Sequence, residues 1–236
     1  PKWSLNMLLR FLSGPLFEPL DSASHLRLTQ KTLCLLLLAT GRRISEITNL
    51  SRISLRIPPD GSLSLLWVQG FVSKHNTPYF RPSCPSIGTM KSTRSMDLLL
   101  CPVRAYNIYL DRTTHWLDEV PLAHRHRFLW TLQDPTRSPS IRVLSECFKS
   151  LVKDARHLNG IYGQVQIGPH QMRKLSASYA DQVGQEETRV MRIMGFSSLS
   201  ILRKNYVAWV PPLQVPCVLP GGTFLPQTDH QMSDSD

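Results

Sequence analysis

The chain has 236 residues, enough to bury a sizeable core, and its 27 Lys+Arg against 17 Asp+Glu give a formal net charge of +10. The basic residues run along the whole sequence rather than gathering in one tail, so the charge is expected on the folded surface, facing a polyanion. Five cysteines with no Cys-x-x-Cys pair and no Cys/His cluster at ligand spacing argue against a structural metal and a disulfide-stapled scaffold, and the most apolar run, Leu33 to Ala39, is too short to span a bilayer.

In chain order, Trp3 to Leu12 places apolar residues at Trp3, Leu5, Leu8, Leu9 and Leu12 and reads as a short helix, followed by a linker rich in Pro and Ser. Thr29 is placed to cap a helix over Gln30 to Thr40, apolar almost all round and therefore interior, with Gly41 as its stop. Directly after it, Ile44, Ile47 and Leu50 keep helical spacing, so Arg43 and Glu46 share a different face. An arginine held by a sharp glycine turn at the mouth of a core is placed to clamp a phosphate, because its planar fork matches two phosphate oxygens. An ordinary Arg-Glu surface pair has the same local pattern.

From Ser51 to Phe80 the period changes to alternation. Ile53, Leu55 and Ile57 form one strand, Pro58-Pro59-Asp60-Gly61 a turn, and Leu63, Leu65 and Trp67 a second strand. A third strand over Phe71 to Lys74 and a turn at His75-Asn76-Thr77-Pro78 complete a small antiparallel sheet with Lys74 at its tip. Residues 82–96 read as a polar loop, Pro102 opens a helix through Tyr106 and Leu110, and Phe128-Leu129-Trp130 reads as a strand. Ser140 caps an amphipathic helix that runs from Ile141 and stops before Gly160.

The next helix, His170 to Gln182, is opened by Pro169 and sets His170 and Arg173 one turn apart, with Met172, Leu175 and Tyr179 left for a core. The pair offers an imidazole and a cation to one anion, although a lone His-x-x-Arg at this spacing is more often a solvated face. Glu186 to Met194 forms another helix stopped at Gly195, and Ser198 caps a last one that carries Tyr206 to about Trp209. The Pro-rich segment from Pro211 to Asp236 is expected to be flexible, for want of apolar contacts. The fold class expected is mainly α with one small antiparallel β-sheet inserted between the Arg43 and His170 helices.

Ala39-Thr40-Gly41-Arg42-Arg43-Ile44-Ser45-Glu46, then His170-Gln171-Met172-Arg173, then Met194-Gly195-Phe196-Ser197-Ser198 followed by Tyr206, resemble the signature boxes of tyrosine recombinases. Each box is weak alone; their order and separation over residues 25–210 make the set specific. Trp3-Ser4-Leu5-Asn6, Phe17-Glu18-Pro19-Leu20, the double arginine Arg42-Arg43 and Leu100-Cys101-Pro102-Val103-Arg104-Ala105 further resemble the recombinases of DIRS-type retrotransposons.

The resemblance implies that Arg43, His170 and Arg173 surround a DNA phosphate, that Lys74 (or Lys91) protonates the departing 5′-oxygen, and that Tyr206 is the nucleophile. Glu46 would hold an arginine in place, and Phe196 stands where the family usually has His or Trp. Phe196 packs as Trp does but donates no hydrogen bond, and the gap from it to Tyr206 is one residue longer than the family pattern. Arg42, Lys91, Lys174, Arg203 and Lys204 are expected on the DNA backbone.

The implied activity is DNA cleavage and rejoining through a 3′-phosphotyrosine, needing no metal, ATP or cofactor, with a dimer or tetramer of the chain assembled on double-stranded DNA in the nucleus. Residues 1–24 are expected to be a linker segment, 25–210 the catalytic domain and 211–236 a tail. The segment preceding Arg43 is too short for the family's core-binding domain, so this is expected to be the catalytic half. Two other readings fit the same residues: a recombinase-derived binding module that has lost cleavage, and a type IB topoisomerase.

Overall fold

The helix that is apolar all round becomes the centre of the molecule in the computed structural model, which describes residues 3–57, 61–73, 84–92, 94–122, 124–130, 137–164 and 167–226. The chain runs α1 (Leu5–Leu12), α2 (His25–Thr40), α3 (Ile44–Ile47), β1 (Leu50–Ile57), β2 (Ser62–Trp67), β3 (Ser86–Ile87), α4 (Ser95–Leu98) and α5 (Pro102–Thr114). It continues through α6 (Ile141–Leu158), α7 (Pro169–Gln182), α8 (Glu187–Met194), α9 (Leu199–Tyr206), β4 (Cys217–Leu219) and β5 (Gly222–Phe224).

Every residue of α2 from Leu28 to Thr40 is buried, under α5, α6, α7 and β4. The helix starts earlier than the sequence suggests. Ser24 caps it by accepting from Arg27 N at 3.3 Å, whereas the hydroxyl of Thr29 donates back to His25 O at 2.8 Å and so is satisfied inside the helix. Gly41 ends it in the left-handed region, at φ +56°.

The expected antiparallel sheet is present in the order β1-β2-β3, with β1 irregular between Leu50 and Ser54. Its third strand among the described residues is Ser86–Ile87; Phe71 to Ser73 of the expected strand are not in the sheet, and Lys74 lies outside the described residues. After Val68 the chain turns through Gly70, at φ +80°, and Ser73 is drawn away to Glu46, which leaves the β2 edge to Ile87 opposite Leu63. Phe128-Leu129-Trp130 is also no strand: Arg127 forms an isolated bridge with Ser51, and the following aromatics go into the core, Phe128 stacking on Tyr106 at 4.5 Å.

Both ends differ from expectation. The segment expected as a linker contributes Leu5, Leu8, Leu9, Leu12, Phe17 and Leu20 to the core, and α1 packs on α6. Residues 211–226, expected to be flexible, form an ordered strap closed by the β4-β5 hairpin, with Cys217, Val218 and Leu219 buried against α2. Asn6 fastens the start of this strap, donating to Pro212 O at 2.9 Å and accepting from Gln214 N at 2.8 Å. The prolines and glycines there read as a flexible tail, but a few side chains covered by a distant helix are enough to order it. Among the described residues no helix is long and apolar enough to cross a membrane.

Candidate active site

Gly41 makes the turn out of α2 so tight that a Cβ there would lie 2.4 Å from Met194 Cε, which brings the C-terminus of α8 against the start of α3. Arg43 is the N-cap residue of α3, and Glu46, at the third position of that helix, accepts from Arg43 N at 2.9 Å. Glu46 is buried, and its other oxygen accepts from Ser73 Oγ at 2.8 Å. The Nη1 atoms of Arg42 and Arg43 each lie 3.8 Å from Glu46 Oε1, so one buried carboxylate serves two guanidinium groups.

On α7 the three-residue spacing separates two environments. Arg173 points inward, 1 % exposed, and its Nη1 donates to Gly41 O at 2.6 Å and to Met194 O at 2.8 Å. Its guanidinium lies 4.0 Å from the Phe196 ring centroid and 5.3 Å from that of Tyr206. Burial and then the charge of Arg43 lower its pKa to about 10, against the opposing pull of Glu46 and Tyr206, so it stays a cation at neutral pH. His170 is exposed, and desolvation followed by the charges of Lys174, Arg173 and Arg43 pushes its pKa below the ordinary imidazole value.

Tyr206 is the last residue of α9, which ends there because Val207 is already extended, rather than continuing to Trp209. Its ring packs at 4.6 Å on Phe196 and at 5.7 Å on His170. Ser178 on α7 fixes the backbone around it, donating to Tyr206 O at 3.0 Å and accepting from Ala208 N at 3.1 Å. Arg43, His170, Lys174, Phe196, Asn205 and Tyr206 line one open cavity of about 370 Å³, with Arg173 behind its aromatic wall. Tyr179, the other tyrosine near the His-x-x-Arg box, is buried in the core.

The structure therefore brings Arg43, Glu46, His170, Arg173, Phe196 and Tyr206 together from separate stretches of chain. Lys74 lies outside the described residues; Ser73, which precedes it, is bonded to Glu46. Lys91 is exposed but does not line the cavity. Among the expected DNA contacts, Lys174 and Lys204 are exposed, whereas Arg203 is held in a two-point ion pair by Glu187, Nε to Oε1 at 2.7 Å and Nη2 to Oε2. Arg42 is the correction: its side chain is fully buried and presents nothing to a duplex.

Asn205 was missed because only its place before Tyr206, on the turn that closes the cavity, marks it. Lys149, Lys153 and His157 were missed as a group although they recur every fourth residue along α6, where they line a second cavity of about 940 Å³. Among the described residues no cluster of three or more His, Cys, Asp or Glu is placed to hold a metal ion.

No model of a known protein family matches this sequence, and no curated protein does. Among solved structures, the crystal structure of XerA recombinase superposes with a TM-score of 0.54 at 15 % identity, over 89 % of this chain and 61 % of that one. The chain thus spans less than two thirds of the protein it matches. Mainly helical with small antiparallel sheets, it has the fold of a recombinase catalytic domain.

Proposed function

We propose that the chain breaks and rejoins duplex DNA through a covalent 3′-phosphotyrosine at Tyr206. The observation that carries this reading is that Arg43, His170 and Tyr206, from α3, α7 and α9, line one cavity, with Arg173 directly behind the rings of Phe196 and Tyr206 and the carboxylate of Glu46 buried beside Arg43. Such a cavity is poised for a dianion-like transition state, because fixed guanidinium charge offsets the negative charge on the non-bridging oxygens.

Tyr206 Oη bonds to phosphorus as the bond to the 5′-oxygen breaks. The phenol proton passes to His170, neutral at physiological pH, and the leaving 5′-oxygen takes a proton from Lys74. The phosphoester bond is exchanged rather than hydrolysed, so the free 5′-hydroxyl can reverse the step. Lys174 and Lys204 beside the cavity, and Lys149 and Lys153 on α6, offer charges to the duplex backbone. The retrotransposon-like motifs support a role in integrating a mobile element, with work done in the nucleus by a dimer or tetramer on DNA.

Incubation with a nicked suicide duplex tests the cleavage step. The expected result is a denaturant-resistant protein-DNA adduct, abolished by Tyr206→Phe and slowed about a hundred- to a thousandfold by Arg173→Ala. Phe196, which donates no hydrogen bond to a phosphate, favours one other reading, a module that binds DNA without cutting it; salt-sensitive binding with no adduct would establish that instead.

A further inference from the structure

The turn Gly41-Arg42-Arg43 carries two adjacent arginines with opposite fates. Arg43 reaches the cavity, its side chain 23 % exposed, whereas Arg42 is wholly enclosed. Enclosing a guanidinium is costly unless charge and hydrogen bonds compensate it. Arg42 has both: Nη2 donates to Arg192 O at 3.2 Å, Nη1 lies 3.8 Å from Glu46 Oε1, and the group sits 5.5 Å from the Trp67 ring centroid. Room is left for it by Gly195, where a Cβ would lie 2.1 Å from Nη1.

The carbonyls it approaches matter. Arg192 O belongs to the last turn of α8, the helix end from which Phe196 and then α9 with Tyr206 depart. Carbonyls of a last turn carry the negative end of the helix dipole and attract cations. Arg42 holds this end from the α3 side, and Arg173 holds it from α7 through Met194 O.

We infer that Arg42 is a positioning residue, a buried guanidinium that takes up the charge of Glu46 and fixes the end of α8, so that Arg43 and Tyr206 address the same phosphate. This rests on the proposed cleavage reaction and gives Arg42 no contact with DNA. Without Arg42, Glu46 would draw on Arg43 more strongly and the α8 end would lose a tether. The loss then falls on the chemical step rather than on binding.

The test uses the full chain carrying Arg42→Met, Arg42→Lys, Glu46→Gln and the double variant Arg42→Met/Glu46→Gln, with thermal unfolding, duplex affinity and the single-turnover rate of adduct formation measured together. Arg42→Met is expected to bind duplex within about twofold of the unsubstituted chain. Its adduct rate should fall about a hundredfold, as for a small misplacement of reacting groups. Glu46→Gln added to it should restore about fivefold or more, because the carboxylate no longer competes for Arg43.

An unchanged rate in Arg42→Met overturns the inference, as does a double variant slower than Arg42→Met, which would mark a merely structural role. Weaker binding with a flatter salt dependence would do the same by making Arg42 a DNA contact. Should Arg42→Met fail to fold, Arg42→Lys decides in its place: it keeps the charge and should keep the binding while losing part of the rate. If the unsubstituted chain forms no adduct, the cleavage reading fails first and this inference falls with it.

Discussion

His170 and Arg173 are three residues apart and do different electrical work. Arg173 is buried and braces backbone carbonyls, yet at a pKa of about 10 it remains charged under any physiological condition. His170 titrates where experiments can reach it. Desolvation and the cations Lys174, Arg173 and Arg43 hold its pKa below the ordinary imidazole value of 6.5, so the neutral ring persists as pH falls past that point. If neutral His170 accepts the phenol proton, the acid limb of the cleavage rate lies below pH 6.5. Lys174→Gln removes one of the depressing charges and should move that limb upward; a limb unmoved by Lys174→Gln and still present in His170→Ala would exclude His170 as the acceptor. That Arg173 is a buried brace was not legible from spacing alone, which fixes the face of a helix but not what covers it.

The stretches Phe17-Glu18-Pro19-Leu20 and Leu100-Cys101-Pro102-Val103-Arg104-Ala105 turn out to be one structural joint. Glu18, from the loop after α1, receives Arg104 of α5 in a two-point bond at 2.8 and 2.9 Å and also Lys31 of α2, whose side chain is fully enclosed. Burial raises the Glu18 pKa, but the bonds from Arg104 and Lys31 outweigh it and leave the carboxyl below its ordinary value. A depressed carboxyl contributes stability above its unfolded pKa of 4.5 and loses it as pH falls through the lower folded value. Glu18→Gln should therefore destabilise the chain by about 3 kcal/mol at neutral pH, since it strands Lys31 inside. Urea unfolding measures it, and a loss under about 0.5 kcal/mol would show the joint to be ornamental.

The ends of elements were legible where chemistry is local, as at Gly41, Gly195 and Ser198. They were misjudged where a distant partner decides, as at Ser73, which leaves the sheet for Glu46.

At the scale of the molecule, the mainly helical architecture with a small inserted sheet was legible from the periodicities: α3 and α7 pack on α2, and α9 packs on α7. The terminal strap was not legible, since nothing near Pro211 in the sequence says that α2 will cover Cys217, Val218 and Leu219. Leu219 is 1 % exposed, and Leu219→Ala should cost about 2–3 kcal/mol, readable as a lowered urea midpoint. An unchanged midpoint would mean that the strap adds nothing to the fold.

The most direct measurement is the point of attachment itself. A suicide duplex is trapped on the chain, the complex is digested, and the peptide carrying the nucleotide remnant is sequenced by mass spectrometry. The account predicts a single phosphotyrosyl linkage at Tyr206 to a 3′-phosphate; a linkage at any other residue, or duplex bound tightly with no linkage at all, would contradict it.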